Sequence, residues 1–167
     1  PDELFSTESL KHIVLDFRQM ASFVENSLVM ARADGVWYED VHGKRYLDGL
    51  SGVFVATVGH NNRRVIEAMK AQLERITFAP PLHATNTVAV ELANKVAAIT
   101  PGDLNTVKLL SGGSEATEAA MKLARQYHRQ SGHPQKYKII SRYYGYHGAT
   151  LRALSTTGTP RRKWMFE

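Results

Sequence analysis

The sequence contains no cysteine among its 167 residues, which excludes a disulfide scaffold, a zinc ribbon and thiol catalysis. It also has no apolar run near the roughly 18 residues that a membrane-spanning helix needs. The first residues, Pro1 to Leu4, have neither the basic stretch nor the apolar stretch of a signal peptide. Together these absences favour a cytoplasmic protein that does not bind a membrane.

The chain also lacks a long run of charge of one sign. Its 21 Lys and Arg residues exceed its 16 Asp and Glu residues by a net charge of +5, but acids lie among the bases. The one tight basic cluster is Arg161, Arg162 and Lys163. We interpret this charge as a surface bias toward anionic ligands, with no nucleic-acid partner. A nucleic-acid-binding module stays open as an alternative, which strongly salt-dependent binding would reveal.

No metal site is predicted, because no two of the seven histidines stand at i, i+4 around a carboxylate. The hydrophobic content of 43% and the charged content of 22% are those of an ordinary globular protein. Disorder and fibrous repeats are therefore excluded.

Apolar periodicity predicts short elements in the first half of the chain. A β-hairpin is predicted over residues 35–48, because β-prone runs flank a turn at which Gly43 can adopt positive φ. Residues 49–59 are apolar and contain glycines, which suggests that their backbone closely approaches another group. The other predicted elements are a helix over 9–17, a strand over 28–31 and a helix over 62–76.

The second half of the chain has a strand–helix–strand pattern. Residues 106–110 and 137–141 are β-prone runs on either side of an Ala-rich helix predicted over 115–129. Two strands joined by a helix pair in parallel, so an α/β fold with a mainly parallel sheet is expected. The remaining predicted elements are a loop over 78–85, a helix over 87–99, an aromatic loop over 143–148 and a short helix over 149–156.

The sharpest chemical signal lies between the first of these strands and its helix. The sequence Ser111-Gly112-Gly113-Ser114 lets the backbone turn tightly. The helix that follows points unpaired N–H groups and its positive dipole end at this turn. We expect Ser114 at the N-cap, with its hydroxyl able to donate. These features predict an anion site, best suited to phosphate, and an ordinary capped helix after a glycine turn stays open as the alternative.

A second signal follows the second predicted strand. Tyr143 to Gly148 form an aromatic and glycine-containing loop, and ligands bind at the carboxyl ends of parallel strands. A ring beside a phosphate site can stack on a flat heterocycle. The two signals together indicate a phosphorylated, planar cofactor.

The motifs in their order resemble those of class III aminotransferases, fold type I enzymes that use pyridoxal 5′-phosphate. The matching stretches are residues 34–49, 58–60, 111–125 and 146–150. The resemblance covers nearly the whole chain and implies the N-terminal part of an aspartate aminotransferase-like fold. Within it, residues 1–60 would be a small-domain segment with the β-hairpin, and residues 61–167 the beginning of the large cofactor-binding domain.

The resemblance also implies roles for individual residues. Gly113 and Ser114 would bind the cofactor phosphate, and Gly112 would shape the loop. Tyr146 would stack on the pyridine ring with His147 and Gly148 beside it, and Glu115 would support the site. The implied substrate pocket contains Phe54, Phe78 and His83. The tetrad departs from the commoner Asn-Ser-Gly-Ser/Thr form at its first two positions.

The implied activity is transfer of an amino group from a primary amine or ω-amino acid to a 2-oxo acid such as pyruvate, in a homodimer or larger assembly. The family's Schiff-base lysine would lie beyond Glu167, and none of the nine lysines here suits that role. We therefore expect this chain to contain no catalytic residue and to be inactive alone.

Several alternatives within and outside the family remain. Ornithine and 4-aminobutyrate aminotransferases, dialkylglycine decarboxylase and glutamate-semialdehyde aminomutase share these motifs. Outside the enzymes, the alternative is a fragment without catalytic activity.

Overall fold

The computed structural model describes residues 6–166. The chain forms two compact units, Pro1–Phe78 and Ala79–Glu167, and each is described by itself. The boundary predicted after residue 60 concerns the domains of the resembled enzymes and stays a prediction. None of the helices in the described part of the chain is long and apolar enough to span a membrane.

Unit 1 begins with two short helices, α1 (Thr7–Leu10) and α2 (Met20–Glu25). The single helix predicted over 9–17 is therefore wrong. The hydroxyl of Ser6 caps the first turn, but the helix ends after one turn, and Phe17 has a φ of +56° that a right-handed helix excludes. The apolar side chains of this stretch are largely exposed, with Val14 84% accessible to solvent, so no packed face supports a longer helix.

The sheet of unit 1 is antiparallel and contains β1 (Met30–Asp34), β2 (Trp37–Asp40) and β3 (Arg45–Leu47) in that order. The hairpin predicted over 35–48 is confirmed as β2 and β3, with a φ of +81° at Gly43. The strand predicted over 28–31 lies two to three residues further on, as β1.

The carboxylate of Asp40 organises the hairpin turn. It accepts hydrogen bonds from the backbone N–H groups of His42 and Lys44, both at 2.9 Å, and from the Tyr46 hydroxyl at 2.8 Å. Burial alone would raise the pKa of Asp40, but the hydrogen bonds, that of Tyr46 first, lower it below its usual value.

The rest of unit 1 consists of a short turn with left-handed backbone, α3 (Ser51–Phe54), and the regular helix α4 (Arg63–Arg75). Asn62 caps α4 by accepting from the N–H of Val65, and the helix predicted over 62–76 is confirmed. The stretch that was expected to approach another group does so, because Gly59 lies against Gly35.

Unit 2 contains α5 (Thr87–Ile99), α6 (Gly113–Gln130), α7 (Leu151–Thr156) and a 3₁₀ turn (Pro160–Arg162). The helix predicted over 87–99 is confirmed, and its cap is Asn86, which accepts from the N–H of Ala89 at 2.9 Å. The loop over 78–85 is also confirmed.

The two strands predicted over 106–110 and 137–141 do not form in the described part of the chain. A strand requires hydrogen bonds to a neighbouring strand, and neither segment pairs with a strand that the structure describes. Both lie beside α6: Lys108 and Leu110 line a groove with it, and the guanidinium of Arg125 donates to the Tyr137 carbonyl at 2.9 Å. The described sheet is thus antiparallel.

Few apolar side chains are buried among the described residues, namely Phe23, Ala153 and Leu154. The apolar stripe of α4 lies exposed, with Met69 61% accessible to solvent. The best-packed part of unit 2 is therefore α7, and it adjoins the glycine-rich start of α6.

Candidate cofactor-binding site

The glycine-rich turn leads directly into α6. The helix begins at Gly113 with Gly112 as its N-cap, two residues earlier than predicted. Ser114 is therefore in the first turn and not at the N-cap, which corrects the predicted position. Within residues 6–166 the N-cap makes no side-chain capping hydrogen bond, so the N–H groups of the first turn point outward without partners within the helix.

Ser114 joins the helix start to the aromatic loop. Its Oγ accepts a hydrogen bond from the N–H of Ala149 at 3.0 Å, which leaves the hydroxyl hydrogen available to donate elsewhere. The structure thus brings together the two segments that the sequence singled out separately.

Gly148 permits this close approach. A Cβ atom at this position would lie 2.6 Å from Cβ of Ala153, 2.7 Å from Oγ of Ser114 and 3.0 Å from Cα of Ser114. Its φ of +134° is also one that other residues rarely adopt. The loop can therefore contact the helix start only with glycine at this position.

Thr157 forms hydrogen bonds with the aromatic loop. The sequence alone did not single out this residue. Its side chain is fully buried. The hydroxyl accepts from the N–H of His147 at 3.0 Å and lies within donating distance of the carbonyls of Gly148, at 3.2 Å, and Ala153, at 3.3 Å. Thr157 therefore fixes the backbone on both sides of the His147–Gly148 peptide.

Gly158 follows and packs against the beginning of the same loop. Its N–H donates to Gly145 at 2.8 Å, and its carbonyl accepts from Tyr144 at 3.1 Å. A Cβ atom on Gly158 would lie only 2.2 Å from the carbonyl oxygen of Arg142. In the sequence, Gly158 stands two residues before Pro160, and a glycine close to a proline is typical of a turn.

Glu118 caps α7 from the neighbouring helix. Its carboxylate accepts from the Thr150 hydroxyl at 2.6 Å, and the backbone N–H groups of Arg152 and Ala153 also favour its ionised form. These bonds, that of Thr150 first, lower the pKa of Glu118 although burial opposes the shift. Sequence reasoning missed this residue, because its partners lie more than 30 positions away.

The side chains of the aromatic loop differ in their surroundings. The Tyr146 ring is 55% exposed, and the guanidinium of Arg162 lies over it at 5.8 Å from the ring centroid. His147 is more enclosed: its Nε2 is shielded from solvent and has no hydrogen-bond partner within residues 6–166. A buried nitrogen without a partner is costly, so the site suits an additional polar group.

Glu115 lies beside the turn. A Cβ atom on Gly112 would lie 2.9 Å from Oε2 of Glu115, so this carboxylate lies along the start of α6, where its charge interacts favourably with the helix dipole. Its supporting role stays a prediction.

The predicted substrate-pocket residues are exposed. Phe54 and Phe78 belong to unit 1 and are 74% and 71% accessible. His83 belongs to unit 2 and is also exposed. Their assignment to a pocket stays a prediction.

The residues present fit a pyridoxal phosphate group. The open start of α6 offers N–H donors to a phosphate, and no side chain would obstruct it at Gly113, where a Cβ atom would meet nothing within 4 Å. The exposed Tyr146 ring offers a stacking surface, and the unpartnered Nε2 of His147 offers a polar contact.

Comparisons with known proteins show the family to which the chain belongs. Residues 20–166 match the family model for class III aminotransferases. A probable aminotransferase from Mycobacterium tuberculosis is 39% identical over 167 residues, which are 100% of this chain and 36% of that protein. The β-alanine–pyruvate aminotransferase of Pseudomonas aeruginosa is 33% identical over 91% of this chain and 34% of its own length.

Among solved structures, a thermostable (S)-enantioselective ω-transaminase from Thermomicrobium roseum superposes with a TM-score of 0.93 at 36% identity. The match covers 99% of this chain and 37% of that one, so the chain spans about a third of the length of the relatives it matches. The predicted fold class, that of pyridoxal phosphate-dependent transferases, is confirmed. The chain belongs to the class III aminotransferase family.

Proposed function

We propose that this chain forms the cofactor-anchoring part of a pyridoxal phosphate-dependent aminotransferase. The reaction would move an amino group from a primary amine or ω-amino acid to a 2-oxo acid such as pyruvate. The observation that carries the proposal is the hydrogen bond from Ala149 to Ser114, which joins the helix start to the aromatic loop. The names of the relatives from P. aeruginosa and T. roseum support the choice of substrates.

The helix start would bind the phosphate. The outward N–H groups of Gly113, Ser114 and Glu115 meet at the positive end of the helix dipole, where an anion is stabilised. Because Oγ of Ser114 already accepts from Ala149, its hydroxyl hydrogen is available to another acceptor, and a phosphate oxygen would suit it.

The aromatic loop would orient the ring system. Tyr146 would stack on one face of a planar ligand, and His147 would contribute its buried Nε2. When bound, pyridoxal phosphate supplies a carbonyl carbon that receives the amino group and later releases it to the oxo acid. This chain's own residues bind and orient, and the lysine of the catalytic step would come from outside residues 1–167.

The residues that would contact the substrates are Phe54, Phe78 and His83, because their exposed side chains offer aromatic surfaces and one polar group. We further propose that the functional form is a homodimer or a larger assembly, in which exposed apolar side chains such as those of α4 would find partners.

The test replaces Ser114 by Ala in the intact polypeptide that carries this chain. Loss of the hydroxyl removes one phosphate donor and the acceptor for Ala149, so we expect the Kd for pyridoxal phosphate to rise about tenfold. The matched control is Ser131→Ala at the opposite end of the same helix, which should leave the Kd unchanged.

The readouts are a spectroscopic titration with the cofactor and the rate of amino transfer from a primary amine to pyruvate. Wild-type protein that binds no pyridoxal phosphate, or a Ser114→Ala variant that binds it as tightly as wild type, would overturn the proposal.

A further inference from the structure

The backbone of residues 51–54 has an unusual conformation. Four consecutive residues have left-handed φ values: Ser51 at +52°, Gly52 at +57°, Val53 at +61° and Phe54 at +70°. For residues with a side chain this region is disfavoured, and for a β-branched residue such as Val53 it is rare. Such a conformation persists only where surrounding contacts determine it.

Asp48 supplies those contacts. Its carboxylate accepts from the N–H of Leu50 at 3.1 Å and from the N–H of Gly52 at 2.7 Å. The same carboxylate lies 2.6 Å from Nε2 of His60. The Asp48 side chain is 7% exposed, and the bond to His60 is the largest cause of its lowered pKa. An ionised carboxylate only accepts hydrogen bonds, so all three bonds converge on it.

His60 is itself held in place by the sheet. Its ring lies 4.4 Å from the ring of Tyr38 in β2, and its backbone exchanges two hydrogen bonds with Gly35, at 3.1 and 2.8 Å. Its side chain is 14% exposed. A series of contacts therefore connects the sheet to His60, His60 to Asp48, and Asp48 to the left-handed segment.

From these contacts we infer that Asp48 and His60 are positioning residues that fix Phe54 for recognition of the amine donor. The inference rests on the proposed function, because it assigns Phe54 to the donor pocket. Asp48 and His60 act through the backbone of residues 50–54 and touch neither substrate nor cofactor. Their loss should therefore change the KM for the donor and leave the binding of pyridoxal phosphate unchanged.

The experiment uses the intact holoenzyme with Asp48→Asn and His60→Ala. An Asn side chain has one acceptor oxygen in place of two, so it cannot accept all three bonds. Amide hydrogen exchange of residues 50–56 should be at least about fivefold faster in both variants. His60→Gln, which restores a donor, should recover part of the protection. The matched controls are Asp103→Asn and His42→Ala, whose side chains are exposed.

Kinetics separate positioning from a general loss of structure. With a bulky aryl amine as donor, KM should rise about tenfold in Asp48→Asn, while the cofactor Kd stays within about twofold. Phe54→Ala should raise KM alone, and adding Asp48→Asn to it should produce no further increase, since both changes remove the same contact.

Two results would overturn the inference. Unchanged exchange at residues 50–56 in both Asp48→Asn and His60→Ala would show that the pair does not hold the segment, whatever the activity. Fully additive KM effects of Asp48→Asn and Phe54→Ala would show that Asp48 does not act through Phe54. If the wild type instead transfers no amino group, the proposed function fails, and with it the assignment to the donor pocket.

Discussion

Replacing Gly148 by Ala tests the junction between the aromatic loop and α6. The added Cβ would lie 2.6 Å from Cβ of Ala153 and 3.0 Å from Cα of Ser114. Neither atom is the end of a flexible side chain, so the backbone must move. Overpacking of this kind costs about 1–3 kcal/mol, and a left-handed φ adds about 1–2 kcal/mol for a residue with a Cβ.

Gly132→Ala is the matched control for this change. Gly132 also has a positive φ, +80°, but an added Cβ would meet nothing within 4 Å. The Gly132→Ala variant therefore carries only the conformational cost of about 1–2 kcal/mol. The clash should make Gly148→Ala more destabilising than Gly132→Ala by at least about 1–3 kcal/mol.

The assays are urea unfolding of the intact protein and titration with pyridoxal phosphate. We expect Gly148→Ala to lower the free energy of unfolding more than Gly132→Ala does. We also expect it to raise the cofactor Kd about tenfold, because moving the loop separates Tyr146 from the helix start. Equal stability of the two variants, together with an unchanged Kd, would refute the argument that Gly148 sets this junction.

The remaining predictions concern three polar residues. Glu118→Gln should reduce stability at pH 7. Because folding lowers the pKa of Glu118, its contribution is complete above the unfolded value of about 4.3 and is lost as the pH falls through the folded value. The difference in urea midpoints between wild type and Glu118→Gln should therefore shrink in acid, and a difference that grows would contradict this. Thr157→Val should cost about 1–3 kcal/mol by leaving the N–H of His147 without an acceptor, whereas Thr157→Ser should retain most stability; equal unfolding midpoints would argue against the role of the hydroxyl. Asp40→Asn should accelerate amide exchange at the hairpin turn, since Asp40 accepts three hydrogen bonds there, and an unchanged rate would exclude this role.

Elements specified by nearby residues were predicted well. The helices α4 and α5 each follow an Asn whose side chain caps them, and the hairpin depends on Gly43 and a local turn. Local chemistry determines these features, so sequence periodicity and turn residues suffice to locate them.

Elements that need distant partners were predicted less well. The β-prone run at 106–110 forms no strand among the described residues, because β-propensity supplies no hydrogen-bonding neighbour. The helix predicted over 9–17 ends at Leu10, a result that apolar spacing alone does not reveal.

The candidate site shows the same division. Ser114 and Gly148 were singled out from separate motifs, and the structure places them in contact. Glu118 and Thr157 were missed, because they form hydrogen bonds with Thr150 and Gly148, which lie 32 and nine positions away. Only the fold brings these groups together.

The central claim is that the start of α6 and the aromatic loop bind the cofactor. A crystal structure of the intact protein with pyridoxal phosphate tests it most directly. We predict phosphate oxygens within about 3 Å of the N–H groups of Gly113 and Ser114 and the pyridine ring over Tyr146. A phosphate bound elsewhere, with the N–H groups of Gly113 and Ser114 left to solvent, would contradict the claim.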